Sequence, residues 1–224
     1  MKNKITIIAD PGSTWMGKKK YGCELIDVAK EAKCDAIKFQ LFEGEAYRQS
    51  GNIELPMDLF TEFYQYGKQI GFPVTASVFD AKRLEFLMTK EVHHIKFGYS
   101  QRYEKSIQGL LKTGYRVVVT LNYWDSFQIE NNPQLIKLYT QIEEGKTCYP
   151  ALKENNFEGL FPHIFQGFSD HSLGNLQAQK AVQDGAMWIE KHLTLDYNDC
   201  LDCPDSKFAL TPKQMKDFCW KVRP

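Results

Sequence analysis

A closed barrel of eight parallel strands interleaved with helices is the fold this sequence predicts, and three observations predict it. The chain has 224 residues with 43% hydrophobic content, enough for one domain of the larger α/β kind spanning residues 1–224. Short β-branched runs alternate with amphipathic stretches from one end to the other, and the strand-like pieces number eight. Polar side chains gather where those strands should end, the face on which parallel α/β folds build their sites.

The elements follow in order. Ile5 to Ala9 is a β-branched run closed by the turn residues Asp10-Pro11-Gly12. Leu25, Ile26, Val28, Ala29 and Ala32 then have the spacing of an amphipathic helix, with Lys18-Lys19-Lys20 at its solvated start. Ala36 to Gln40, Pro73 to Val78, His94 to Gly98 and Arg116 to Leu121 read as strands. Leu59 to Ile70, Ala81 to Thr89 and Tyr103 to Lys112 read as helices between them. From Asn122 to Phe161 only Ile136 to Thr140 has strand character, and the polar stretch Gln141 to Lys146 reads as an insertion. Alternation resumes with strands over Ile164 to Phe168 and Met187 to Lys191, and a helix from Leu173 to Asp184. Thr211 caps a last helix with Pro212 at its first position.

Composition excludes several classes. Lys and Arg together number 28, as do Asp and Glu, so the basic excess of a nucleic-acid footprint is missing. The sequence holds neither a membrane-length apolar run nor a long apolar leader, which makes a cytoplasmic protein the expectation. The six cysteines read as reduced thiols. Cys200 and Cys203 form a C-x-x-C that lacks a second pair at ligand spacing, so ordinary thiols are favoured over structural zinc.

Asp10, Lys38, Gln40, Ser77, Lys96, Thr120, Ser169, His171 and His192 all fall at expected carboxyl ends of strands. His171 and His192 suit a divalent metal; the alternative is that each ring satisfies a buried carbonyl. Asp10 and Asp170 are candidates to support such an ion from outside its ligand shell. Lys38 and Lys96 sit in apolar runs, where a phosphate or carboxylate ligand would neutralise them, as would pairing with Asp or Glu. His93, His94 and His163 precede strands and are expected to be structural.

Gly167-Phe168-Ser169-Asp170-His171-Ser172-Leu173-Gly174, Gly185-Ala186 and Ile189-Glu190-Lys191-His192-Leu193-Thr194-Leu195-Asp196 resemble the signature of the N-acetylneuraminate (sialic acid) synthase family. Pro204-Asp205-Ser206 with Ala209-Leu210-Thr211-Pro212 is similar to that family's next loop and helix start, and Ile7 to Asp10, Ala36 to Gln40 and Ile95 to Gly98 to its earlier strands. The resemblance implies a (β/α)8 TIM barrel that condenses phosphoenolpyruvate with an N-acetylated amino sugar, releasing phosphate and a 2-keto sugar acid. It implies a divalent ion on His171 and His192, manganese first, with magnesium, cobalt or zinc as alternatives. By position, Lys38, Lys96, Thr120 and Ser169 would hold phosphoenolpyruvate, while Gln40, Tyr149 and Asp205 would face the sugar. Asp10 stands where the family has a catalytic glutamate, and homo-oligomers are common in the family.

The chain also departs from the pattern. Asp10 is one methylene short, setting its carboxylate back by about 1.5 Å. Thr14-Trp15-Met16-Gly17 replaces the family's Asn-His-x-Gly, Tyr99-Ser100-Gln101 its Ser-Gly-Glu, and Thr120-Leu121-Asn122 its Ser-Thr-Gly. The sequence given stops at Pro224, before the carboxyl-terminal domain typical of the family. Two alternatives to the synthase therefore stay open: a metal-dependent aldolase or lyase, and a catalytically reduced barrel that binds a metabolite.

Overall fold

The computed structural model describes residues 4–45, 48, 51–141, 157–200 and 202–223. Tyr149 and nearly all of the stretch expected as an insertion lie outside them. Eight strands, β1 Thr6–Asp10, β2 Ala36–Leu41, β3 Val74–Val78, β4 Ile95–Phe97, β5 Val117–Leu121, β6 Leu135–Tyr139, β7 Gly167–Asp170 and β8 Trp188–His192, close into one barrel in sequence order. Every neighbouring pair is parallel, and β8 returns to β1 in register, Asp10 beside His192. The expected fold is thus the observed one, a TIM barrel with all its strand ends opening on one face.

Six helices are described: α1 Lys19–Glu31, α2 Met57–Ile70, α3 Ala81–Met88, α4 Ser106–Lys112, α5 Leu176–Gln183 and α6 Pro212–Val222. Strand residues sort by parity. Ile7, Ala9, Ile37, Phe39, Val117 and Val119 join Leu25, Ile26, Phe60 and Phe63 of the helices in one core outside the strands. Phe39 and Phe63 stack there with ring centroids 4.9 Å apart, and each such side chain contributes about 1.5–3 kcal/mol by leaving water. The alternate set faces the lumen, because Lys96 on β4 reaches Glu190 on β8, four strands away around the ring. Thr211 closes a capping box with Gln214, as its sequence predicts. Asp80 caps α3 by accepting from the Arg83 N–H.

Most boundaries fall within two residues of the expected ones, and three element starts lie three residues later. The seventh strand begins at Gly167 rather than Ile164, because the N–H groups of Ile164 and Phe165 both turn back to the Leu160 carbonyl. α4 starts at Ser106, since Arg102 and Tyr103 are taken up by contacts to Asp125. α5 starts at Leu176, leaving Leu173 72% exposed.

Gly167 is the point of closest approach between β7 and β8: a Cβ there would lie 2.1 Å from the Trp188 carbonyl oxygen. Gly167→Ala is therefore expected to destabilise the fold by about 1–3 kcal/mol. Gly109→Ala, on an open face of α4 where a Cβ meets nothing within 4 Å, should instead add about 0.5–1 kcal/mol. Urea unfolding of the two variants checks both signs.

Candidate active site

The lumen side chains meet at the carboxyl ends of the strands. Lys38 Nζ lies 2.8 Å from Asp10 Oδ2 and donates to Ser77 Oγ at 2.9 Å. Lys96 Nζ donates to both oxygens of Glu190, at 2.8 and 3.1 Å, and Ser169 donates to Glu190 Oε1 at 3.0 Å. Lys38 stands 3.7 Å from that same oxygen. All of these groups are buried. Burial opposes ionisation of Glu190, yet the Lys38 and Lys96 ammoniums hold its carboxyl well below the ordinary range. The lysines diverge: burial lowers the pKa of Lys96, whereas for Lys38 it is outweighed by Asp10 and Glu190, which raise it.

The two histidines stand beside this cluster. His171 and His192 lie 5.1 Å apart between ring centroids. Nδ1 of His171 is 3.2 Å from the Ser169 carbonyl and Nδ1 of His192 is 3.1 Å from the Asp10 carbonyl. A carbonyl can only accept, so Nδ1 is the donor in each of these contacts. Burial drives the His171 pKa well below its ordinary value, which keeps that ring neutral. His192 Nε2 faces Asp205 Oδ1 at 3.8 Å, and Asp205 Oδ2 is fixed by the N–H and O–H of Ser13, both at 2.8 Å. Each ring thus makes the carbonyl contact, and that contact fixes its orientation.

This donor set suits a divalent ion. Imidazole Nε2 atoms with a carboxylate beside them are ligands for manganese, cobalt or zinc, and a backbone contact on Nδ1 is the usual way such rings are aimed. Among the described residues no group of three or more His, Cys, Asp or Glu side chains is placed to hold a metal ion, so the two imidazoles are at most part of a ligand set. Lys38 and Lys96 set against Asp10, Glu190 and Asp205 leave one negative charge in excess at the mouth. An anionic ligand would be repelled by that balance, and a divalent cation reverses its sign.

Other expected positions resolve differently. Asp170 does not support the histidines: it faces out of the barrel, 3.1 Å from Lys191 Nζ and fully buried, and Oδ1 takes the Ser172 N–H. The parity of β7 and β8 explains this, since Ser169, Glu190 and His192 point inward and their neighbours outward. Lys38 and Lys96 are paired with carboxylates rather than left for a ligand alone. Thr120 Oγ1 is buried without a hydrogen-bond partner, while Gln40 is half-buried at the end of β2. Tyr149 lies outside the described residues. His94 is buried against Trp188 at the opposite end, as expected of a structural residue, and His163 is exposed. Glu190, the hub, had no role among the expectations, and Ser13 had none either. Glu190 was findable: it lies two residues before His192 on one strand and so shares its face.

Two departures from the family pattern meet each other. Asn122 Nδ2 donates to the Tyr99 hydroxyl at 2.8 Å, joining the loops after β4 and β5. Arg102 stacks on Tyr99 with its guanidinium 3.9 Å from the ring centroid and pairs with Asp125 at 2.6 Å.

Buried lysines, carboxylates and two aimed imidazoles thus share the open face of a parallel barrel, the face on which such folds build their sites. Residues 43–224 match the NeuB family, and the chain belongs to that family. It is 29% identical to an uncharacterized protein of Methanocaldococcus jannaschii, over 97% of this chain and 69% of that one. It is 25% identical to the N-acetylneuraminate-9-phosphate synthase of Drosophila melanogaster, over 96% of this chain and 66% of that one. In fold it is similar to the N-acetylneuraminic acid synthetase of Leptospira borgpetersenii, solved in complex with citrate. That similarity has a TM-score of 0.79 at 22% identity and covers 98% of this chain and 83% of the other.

Glu190→Gln removes the one charge that Lys96 contacts at hydrogen-bond distance among the described residues and is expected to destabilise the protein by about 3–5 kcal/mol at neutral pH. The folded-state pKa of Glu190 is depressed from 4.5, so its contribution is full above that value and is lost as pH falls below it. Unfolding measured from pH 7 downward should show the wild-type and Glu190→Gln stabilities converging below about pH 4.5.

Proposed function

We propose that this barrel condenses phosphoenolpyruvate with the aldehyde of an N-acetylated amino sugar, giving a 2-keto sugar acid and inorganic phosphate. The observation that carries the reading is the placement of two Nδ1-protonated imidazoles and Asp205 next to the Lys38 and Lys96 ammoniums at one barrel mouth. Membership of the NeuB family supports it.

Lys38 and Lys96 receive the phosphate and carboxylate of phosphoenolpyruvate. Both ammoniums are already fixed by Asp10, Ser77 and Glu190, so they need no reorganisation when the anion arrives. The unpartnered Thr120 hydroxyl donates to a ligand oxygen, which relieves a buried polar group that otherwise costs about 1–3 kcal/mol. Ser169 lies on the same face. Asp205 and Gln40 face the acceptor, and Asp205 presents Oδ1 because Ser13 occupies Oδ2. A divalent ion held by His171 and His192, manganese first, supplies Lewis acidity toward the aldehyde when bound. The enol carbon attacks that aldehyde, water adds to the cationic carbon left behind, and phosphate departs. Asp10 pairs with Lys38 through Oδ2 at 2.8 Å, and its Oδ1 accepts the Gly12 N–H at 3.0 Å.

Phosphate release from phosphoenolpyruvate with a panel of N-acetylated amino sugars tests the reaction. His171→Ala and His192→Ala should each lower it by at least about a hundredfold. Full activity in either variant, or phosphoenolpyruvate left intact with every acceptor, would contradict the reading.

The excess negative charge at the mouth makes a second prediction. Titration calorimetry should detect phosphoenolpyruvate binding in the presence of manganese and none after chelation. Equal affinity in both conditions would remove the metal from the account.

A further inference from the structure

We propose that Cys200 and Cys203 are a redox-active dithiol whose closure to a disulfide displaces Asp205 from His192. The pair lies in the loop that follows β8, and the next turn carries Asp205. The Cys203 N–H donates to the Cys200 carbonyl at 3.0 Å, which keeps the two cysteines within one turn of each other. Cys200 is buried, with Sγ 3.2 Å from Thr194 Oγ1, while Cys203 is only half-buried. One thiol is thus open to a small oxidant and the other sits behind it as the resolving group.

The link to the site runs through Ser13. Cys203 Sγ donates to the Ser13 carbonyl at 3.4 Å, and Ser13 in turn fixes Asp205 Oδ2 by its N–H and O–H, both at 2.8 Å. Asp205 also packs tightly on Gly12, where an added Cβ would lie 2.2 Å from Oδ2. Turning Cys203 Sγ toward Cys200 breaks the bond to Ser13 and releases one end of this chain of contacts. Asp205 Oδ1, 3.8 Å from His192 Nε2, is the end that faces the site.

With hydrogen peroxide as the oxidant the chemistry balances. The Cys203 thiol gives up its proton, the thiolate attacks one peroxide oxygen and the O–O bond breaks; the hydroxide that leaves takes up that proton, so a sulfenic acid and water form. The Cys200 thiol then attacks that sulfur, a second water leaves and the S–S bond closes. Burial and the neighbouring Cys200 push the Cys203 thiol up to about 11. The thiolate fraction is therefore small and oxidation slow, while the same shift disfavours the reduced thiolate form and stabilises the disulfide.

The test treats the full chain with peroxide, then maps peptides by mass spectrometry and follows the His192 ring protons by NMR. The expected result is a loss of about 2 Da in the peptide carrying Cys200 and Cys203, with a shift of the His192 signals that dithiothreitol reverses. Cys203→Ser should show neither change, and Cys200→Ser serves as the second block should the first variant fold poorly. Absence of the disulfide would overturn the proposal. So would a disulfide that leaves His192 unmoved, or a His192 shift that persists in Cys203→Ser, where Cys34 and Cys219, with Sγ atoms 3.8 Å apart, remain able to react. Neither readout uses phosphoenolpyruvate or an acceptor, so the outcome is separable from that of the proposed reaction.

Discussion

The Glu190 carboxylate is the constraint on which the rest of this barrel mouth depends. It accepts from Lys96 across the lumen and from Ser169 on the adjacent strand, and it faces Lys38 at 3.7 Å. Three strands besides its own are thereby tied at one level of the barrel. The two buried ammoniums are offset by the carboxylates that face them, Asp10 on Lys38 and Glu190 between the pair, and the lysines in turn favour the ionised form of Glu190. The same arrangement keeps both cations aimed before any ligand arrives, which is how fixed charge serves catalysis on an anion.

Much of this was legible in the sequence because it follows from periodicity. The strand runs, their apolar outward residues and the polar strand ends follow from alternation alone, and the eightfold repeat selects the closed barrel. What was not legible depends on which side of a strand a residue takes once the ends are fixed. Asp170 and Lys191 sit beside site residues in sequence but on the outer face in space, where they pair with each other. Glu190 sits inside for the same reason. The apolar run at Ile164 and Phe165 looks like strand, yet its N–H groups are spent on a turn and only Phe165 enters the core.

The departures from the family pattern acquire a physical meaning only in three dimensions. Tyr99 and Asn122 are far apart in sequence, and each alone reads as an isolated departure; the bond of 2.8 Å between them joins the two loops. Arg102, stacked on Tyr99 and paired with Asp125, extends it into a brace between the loops after β4 and β5. The half of the mouth built by β7 and β8 carries the two histidines and Glu190, and the half beside β4 and β5 carries this brace.

The account's central claim is that both imidazoles and the ammonium pair serve one ligand site. Crystals soaked with manganese and phosphoenolpyruvate, with data collected for anomalous scattering, test it most directly. The account predicts a single strong anomalous peak in contact with Nε2 of both His171 and His192, and phosphate density against Lys38 and Lys96. A peak away from these rings, or phosphoenolpyruvate bound elsewhere on the barrel, would contradict it.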